Sequence, residues 1–371
     1  MKGYIAGDNM VNNWRVWPLV VLAMAVCGGM LSIGDPDTCG QHENDVHINV
    51  AVYESVIKDY SQEAIIPLNY TWSSGGYTYH LYPGIITRAD IMKKDTLLTK
   101  DNFDVFVIPG SGRSYIDALL PQWRNTVRNF VDQGGGFLGI CGGANIASRG
   151  FQEEKGLNRI LNYSVLGIAN IYVNNQQNEE WMYLWKANWQ YGLPPIHILF
   201  LPHKNTIFTD FVGEIRNIRY GGGPGMYPAP ENNEKYGPVI PLAIYTEEPM
   251  TVAPLHYWIW DQEWRIEENI TTDIKNQYAV VATSYGKGRI VLFGPHPEKK
   301  TFFGGYITEF PVRPNMGPFT WHIYNWSGGT SSSMDYNWWM MQRAAAWISQ
   351  KVPLYHLPTI QDTLIRPYFV A

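Results

Sequence analysis

The regular pattern of the chain opens at Val46–Tyr53, VHINVAVY, a β-branched run that predicts the first strand of a domain. Apolar residues then recur at helical spacing over Thr87–Thr99. Phe103–Ile108, FDVFVI, predicts a second strand, ending in Pro109-Gly110-Ser111-Gly112. Ala118–Val131 predicts a helix with Leu119, Leu120, Trp123, Val127, Phe130 and Val131 on one side. Gly134-Gly135-Gly136 leads into the apolar run Phe137–Ile140, and a helix can begin directly after Cys141, over Gly142–Ser148. Strands and helices alternating at this spacing predict an α/β fold, a mostly parallel sheet with helices on both faces.

The pattern changes beyond residue 150. Trp181, Trp185 and Trp189 recur every four residues, which would align them on one helical face as a core stripe or a binding platform. Arg219-Tyr220-Gly221-Gly222-Gly223-Pro224-Gly225 predicts a loop, because three glycines and a proline suit neither helix nor strand. After Pro241 the chain predicts an additional β-rich part: strands at Leu242–Tyr245 and Leu255–Trp260, and a hairpin pairing Tyr278–Ser284 with Arg289–Phe293. A last helix is expected over Tyr336–Ser349.

One apolar run has no place in such a domain. Val16–Ile33 holds 18 residues without a charge, near the lower limit for a membrane span. Lys2 and Arg15 precede it, and Asp35, Asp37, Glu43 and Asp45 follow, the polarity expected when the rest of the chain is exported. Residues 1–33 therefore read as a signal peptide or membrane anchor, with a buried N-terminal helix or strand as the alternative. Residues 34–45 read as a linker, 46–350 as the domain and 351–371 as a C-terminal tail. The sequons at Asn69, Asn162, Asn269 and Asn325 are compatible with export, but chance alone supplies roughly two or three.

Composition narrows the partners. Charged residues are 16% of the 371, the net charge is −5, and no basic run stands out, which argues against nucleic acid. Three cysteines are too few for a disulfide framework or a multi-thiolate zinc site. His197, His203 and His322 show no metal-ligand spacing, so no metal is expected.

The candidate chemistry sits in two segments. Cys141 follows an apolar strand and precedes a helix, with Gly139, Gly142, Gly143 and Ala144 around it, as a tight strand-to-helix turn requires. The helix N-terminus would favour the thiolate, and the Gly142 N–H would point at a developing oxyanion. His296-Pro297-Glu298 lies at a strand end, and i, i+2 spacing puts both side chains on one face. The imidazole can act as base toward the thiol while the carboxylate orients it. Cys141 as a buried structural residue, and His296 as a strand-end residue, are the plainer alternatives.

These residues resemble class I glutamine amidotransferases, whose Gly-x-Cys-x-Gly elbow matches Gly139–Gly143 and whose late His-x-Glu matches 296–298. More narrowly, GGGFLGICGGA (134–144), VIPGSG (107–112) and RYGGG (219–223) are similar to the biotin–protein ligase N-terminal domain family. The resemblance covers about residues 46–350 and implies a flavodoxin-like, class I glutamine amidotransferase-like fold. It implies neither biotin transfer nor a synthetase in the same chain. In the intracellular-protease-like branch of this superfold a His follows the nucleophile; here Gly142 does.

The resemblance implies a Cys-His-Glu hydrolase or amidotransferase acting on an amide or γ-glutamyl-type bond through a thioester. Cys141 would attack, His296 would shuttle the proton and Glu298 would hold it. Gly110 and Gly142 would donate to the oxyanion, and Tyr220, Gly221, Gly222 and Gly223 would line the pocket for a small-molecule or peptide substrate. No cofactor is required for this chemistry. The competing expectation, prompted by 14% aromatic residues, is an idle extracytoplasmic module that binds a peptide or sugar.

Overall fold

A computed structural model describes residues 44–360, except 57–60, 111–113, 177–194, 203–205, 231–232, 253–255, 262, 270, 300–301, 304–305, 313–319, 328–329 and 332–334. The run at 16–33, Cys39 and the tryptophans 181, 185 and 189 lie outside the described residues. Among those described, no helix is long and apolar enough to cross a membrane.

The described residues build a 12-stranded sheet. Its strands are β1 (Asn44–Glu54), β2 (Tyr70–Ser74), β3 (Tyr77–Thr87), β4 (Val105–Ile108), β5 (Gly136–Ile140), β6 (Ile171–Val173), β7 (Pro195–Phe200), β8 (Ile215–Arg219), β9 (Met226–Pro228), β10 (Ile240–Tyr245), β13 (Tyr278–Tyr285) and β14 (Gly288–Phe293). The order is β2-β3-β1-β4-β5-β14-β13-β10-β7-β8, with β6 and β9 attached beside β13. A separate sheet contains β11 (His256–Asp261), β12 (Glu263–Asn269) and the strands Tyr306–Val312 and Thr320–Ser327.

The α/β class is as expected, but the sheet is mixed rather than mostly parallel. Its parallel part runs β3-β1-β4-β5-β14, whereas β2 and everything from β13 to β8 pair antiparallel. The tight turn Gly286–Lys287 explains the switch, because a short hairpin can join only antiparallel neighbours. β4 and β5 are buried throughout, as continuous apolar runs in a doubly covered parallel sheet must be.

Two buried clusters mark the two faces. One gathers Ile48, Val50 and Val52 with helix α1 (Ser61–Leu68) and the last helix, Asp335–Ile348. The other gathers Ala51, Phe106 and Phe137 with Trp123, Val127 and Phe130. The first helical stretch on this second face is short: α2 spans Arg88–Met92, started by a capping box between Thr87 and Asp90 and ended by extended Lys93, so the expected helix to Thr99 is absent. The helix expected over 118–131 is divided. Ser114–Ala118 forms α3, Leu120 is extended because Pro121 follows it, and α4 runs Pro121–Asp132.

Residues 351–360 are not a detached tail. Trp72 donates to the His356 carbonyl at 2.8 Å, and the Tyr79 hydroxyl and His356 Nδ1 share a 2.6 Å hydrogen bond. Arg343 donates to the Pro358 carbonyl at 2.6 Å, so this segment packs with the last helix on the face that carries Trp72 and Tyr79.

Candidate active site

β4, β5 and β14 end side by side, and the site forms where they end. Cys141 follows β5 with φ 49 and ψ −108, a strained backbone for a residue with a side chain. Helix α5 (Gly142–Ala147) begins at once. The crowding shows why the neighbours are glycines. A Cβ on Gly139 would meet the Gly143 carbonyl oxygen at 2.7 Å, and one on Gly143 would meet that of Ile108 at 2.3 Å. The first N–H groups of α5, beginning with Gly142, have no acceptor within the helix.

His296 and Glu298 follow β14, and both are 3% exposed. Their side chains share a 2.6 Å hydrogen bond, Nδ1 to Oε1. Burial alone would pull the imidazole pKa down; the Glu298 carboxylate, then the charge and hydrogen bond of Cys141, overcome this and raise it from 6.5 to about 10. Nε2 is buried and makes no hydrogen bond of full geometry, which leaves that edge of the ring for the thiol beside it. The three residues named from the sequence are thus brought together.

The backbone after His296 is anchored from the last helix. Trp338 donates to the Glu298 carbonyl at 3.2 Å and Asn337 to that of Lys299 at 2.7 Å, while Lys299 pairs with Glu63.

Gly110, expected at the oxyanion, stands against the imidazole. A Cβ there would lie 2.5 Å from His296 Cε1 and 3.2 Å from Glu298 Oε1, so glycine makes the seat of the ring. The expected loop 219–225 begins one residue later than the sequence suggested, since Arg219 ends β8 and its carbonyl accepts from the His296 N–H at 2.9 Å. Residues 220–225 are buried rather than exposed. The Gly221 carbonyl faces the Cys141 Sγ at 3.9 Å, Gly222 has φ 77, and a Cβ on Gly223 would stand 1.7 Å from the Gly294 carbonyl oxygen. Cys141 is 6% exposed beneath this strap.

The sequence reading missed Tyr115 and Asn145. Tyr115 is buried near the Cys141 charge, and burial first, then that charge, pushes its phenol well above 10. Its signal was its place just after the C-terminal end of a parallel strand, where sites of open α/β sheets form. Asn145 lies one turn beyond Cys141, fully buried, with both side-chain polar atoms unpartnered. The Asn162 amide, part of a sequon, is occupied with the Phe151 backbone in both directions. Among the described residues no group of three His, Cys, Asp or Glu could hold a metal.

Residues 85–164 match the family model described as "Biotin-protein ligase, N terminal", which is the family the motifs resemble. The match contains β4, β5 and the Cys141 elbow, and ends well before His296. No curated protein matches the chain. Among solved structures, PurLQS from Thermotoga maritima is similar at 13% identity, covering 68% of this chain and 87% of that one, with a TM-score of 0.36. A glutamine amidotransferase from the same organism is similar at 12%, covering 68% and 77%, with a TM-score of 0.35. A β-galactosidase from Bacillus circulans sp. alkalophilus is similar at 12%, covering 73% and 34%, with a TM-score of 0.34.

Proposed function

We propose that this amidotransferase-like domain is a Cys-His-Glu hydrolase or amidotransferase that opens an amide or γ-glutamyl-type bond through a thioester. The observation that carries the reading is the buried imidazole held between the Glu298 carboxylate and the Cys141 thiol. An imidazole whose pKa is near 10 is a base strong enough to hold the proton that the thiol gives up on attack. Cys141 then attacks the carbonyl carbon, and N–H groups at Gly142 and Gly110 receive the oxyanion. His296 passes its proton to the leaving amine as the C–N bond breaks. Water, deprotonated by His296, attacks the thioester and frees the acid and the thiol. Tyr220–Gly223 border the substrate.

The test pairs chemical labelling with turnover. Iodoacetamide should label Cys141 selectively at neutral pH. Release of nitroaniline from γ-glutamyl-p-nitroanilide should fall by at least about 10³-fold in Cys141→Ala. Turnover unchanged in Cys141→Ala would overturn the assignment.

A second reading, an idle fold that binds a peptide or sugar, draws support from the low exposure of Cys141 beneath the Gly221 strap. It expects no selective labelling of the folded protein. In either reading the charge flanks of Val16–Ile33 support export, with the domain anchored or secreted on the extracytoplasmic side. A C-terminal tag protected from protease in intact cells would refute that.

A further inference from the structure

Away from the cysteine, a cleft of about 510 Å³ is lined by the carboxamides of Asn174, Asn175, Gln176 and Gln277 and the carboxylates of Glu153 and Asp273. Tyr227 completes the wall. Its volume lies within the range of small-ligand clefts, but its lining is not the apolar one usual for them. Among the described residues no lysine or arginine lines it, so none of them would balance an anionic ligand. An apolar ligand would strip water from six amide and carboxylate groups without repayment in hydrogen bonds. A ligand rich in neutral hydroxyls fits both constraints, because each hydroxyl can donate to a carboxylate or amide oxygen and accept from an amide N–H.

The lining is held in place. Asn174 is 2% exposed; its Oδ1 accepts from the Gly225 N–H at 3.0 Å and its Nδ2 donates to the Thr272 carbonyl at 2.7 Å. Around this fixed floor each amide has one end tied. Asn175 Oδ1 accepts from the Glu153 N–H at 3.1 Å, Gln176 Oε1 accepts from the Thr271 hydroxyl at 3.0 Å, and Gln277 Nε2 donates to the Asp273 carbonyl at 2.8 Å. The opposite ends of Asn175 and Gln176, two amide N–H₂ groups, are left over for a ligand, whereas Gln277 Oε1 is buried against Gly225 and serves only the wall. Asp273 has φ 55, a left-handed conformation that Asp and Asn tolerate better than other residues with a side chain. Amides tied at one end bind with less loss of side-chain freedom.

We infer that this cleft is a binding site for an uncharged saccharide, separate from Cys141, His296 and Glu298. The inference stands whether or not the cysteine is a nucleophile.

Saturation-transfer NMR on the full chain tests it, with maltotriose, cellotriose and triacetylchitotriose as probes and glucose 6-phosphate as the anionic control. At least one neutral probe should bind with a Kd below about 1 mM, and the phosphate should not bind. Gln176→Ala removes an exposed amide, and Asp273→Asn keeps a residue type that tolerates the left-handed backbone, so both should fold with unchanged unfolding midpoints. Each should weaken binding about tenfold, while Cys141→Ala should leave it unchanged. The inference fails if no neutral probe binds at about 10 mM, a level well above weak millimolar affinities. It also fails if the phosphate binds as well as the sugars, or if both cleft variants bind like the wild type.

Discussion

The elbow at Cys141 and the strap at Gly221–Gly223 meet across 3.9 Å, and both need backbone that ordinary residues avoid. They meet the need in opposite ways. At Gly222 the left-handed φ of 77 falls on a glycine, where it costs little. At Cys141 the φ of 49 falls on a residue with a side chain, and the strain stays in the native state. The difference separates scaffolding from chemistry: strain is relieved where only the path of the chain matters and kept where a sulfur must be presented. Glycine at 223 serves a third need, close approach, since the Gly294 carbonyl occupies the space of a Cβ.

The close approach at Gly223 carries the largest expected effect. Gly223→Ala drives its methyl into the backbone of Gly294, and the expected loss is about 4 kcal/mol or more of folding stability, read by urea denaturation. A fully stable Gly223→Ala would mean that the strap lifts readily from the end of β14.

Glu298→Gln comes next. It removes the carboxylate that offsets burial of His296, and breaking such a buried pair costs about 3–5 kcal/mol near neutral pH. The sign of the pH effect follows from a pKa raised in the folded state. In the wild type the stabilisation is complete below about 6.5 and is lost as pH rises through about 10. Urea midpoints should therefore fall across that window in the wild type and stay much flatter in Glu298→Gln. An identical slope in both would remove Glu298 as the partner.

At Cys141 the strain itself can be measured. Cys141→Gly relieves the backbone and Cys141→Ala does not, so the glycine variant should be more stable than the alanine variant by about 1 kcal/mol. Equal unfolding midpoints would show no strain at the elbow. The smallest effect is expected at Gly84, where an added Cβ would meet nothing within 4 Å and φ is not left-handed. Gly84→Ala should change stability by less than about 0.5 kcal/mol.

What was legible in the sequence was what local pattern encodes. The runs that became β4 and β5 are continuous and apolar because both faces are covered, and the glycines around Cys141 announce crowding. His296-Pro297-Glu298 carries its pairing within three residues. What was hidden depends on distant chain. The antiparallel half of the sheet includes Arg219, whose buried charge disguised a strand end. The segment at 351–360 packs through Trp72 and Tyr79, nearly three hundred residues away, so nothing in PLYHLPTI marks it as buried. Gly110 stands in a Gly-rich run after β4, but the imidazole it seats comes from 186 positions later.

The seat of β14 has a consequence for how the protein is made. β5 and β14 are neighbours in the sheet, yet Phe293 leaves the ribosome roughly 150 residues after Ile140, some ten to thirty seconds later at ordinary synthesis rates. Throughout that interval the nascent chain carries the elbow thiol with no imidazole beside it and no strap above it. The parallel sheet has a vacant slot beside β5, an edge that invites wrong partners until β14 arrives. A chain cut short before residue 288 therefore cannot be a weak version of this protein; it would be an open sheet bearing an exposed cysteine, a substrate for chaperones and proteases.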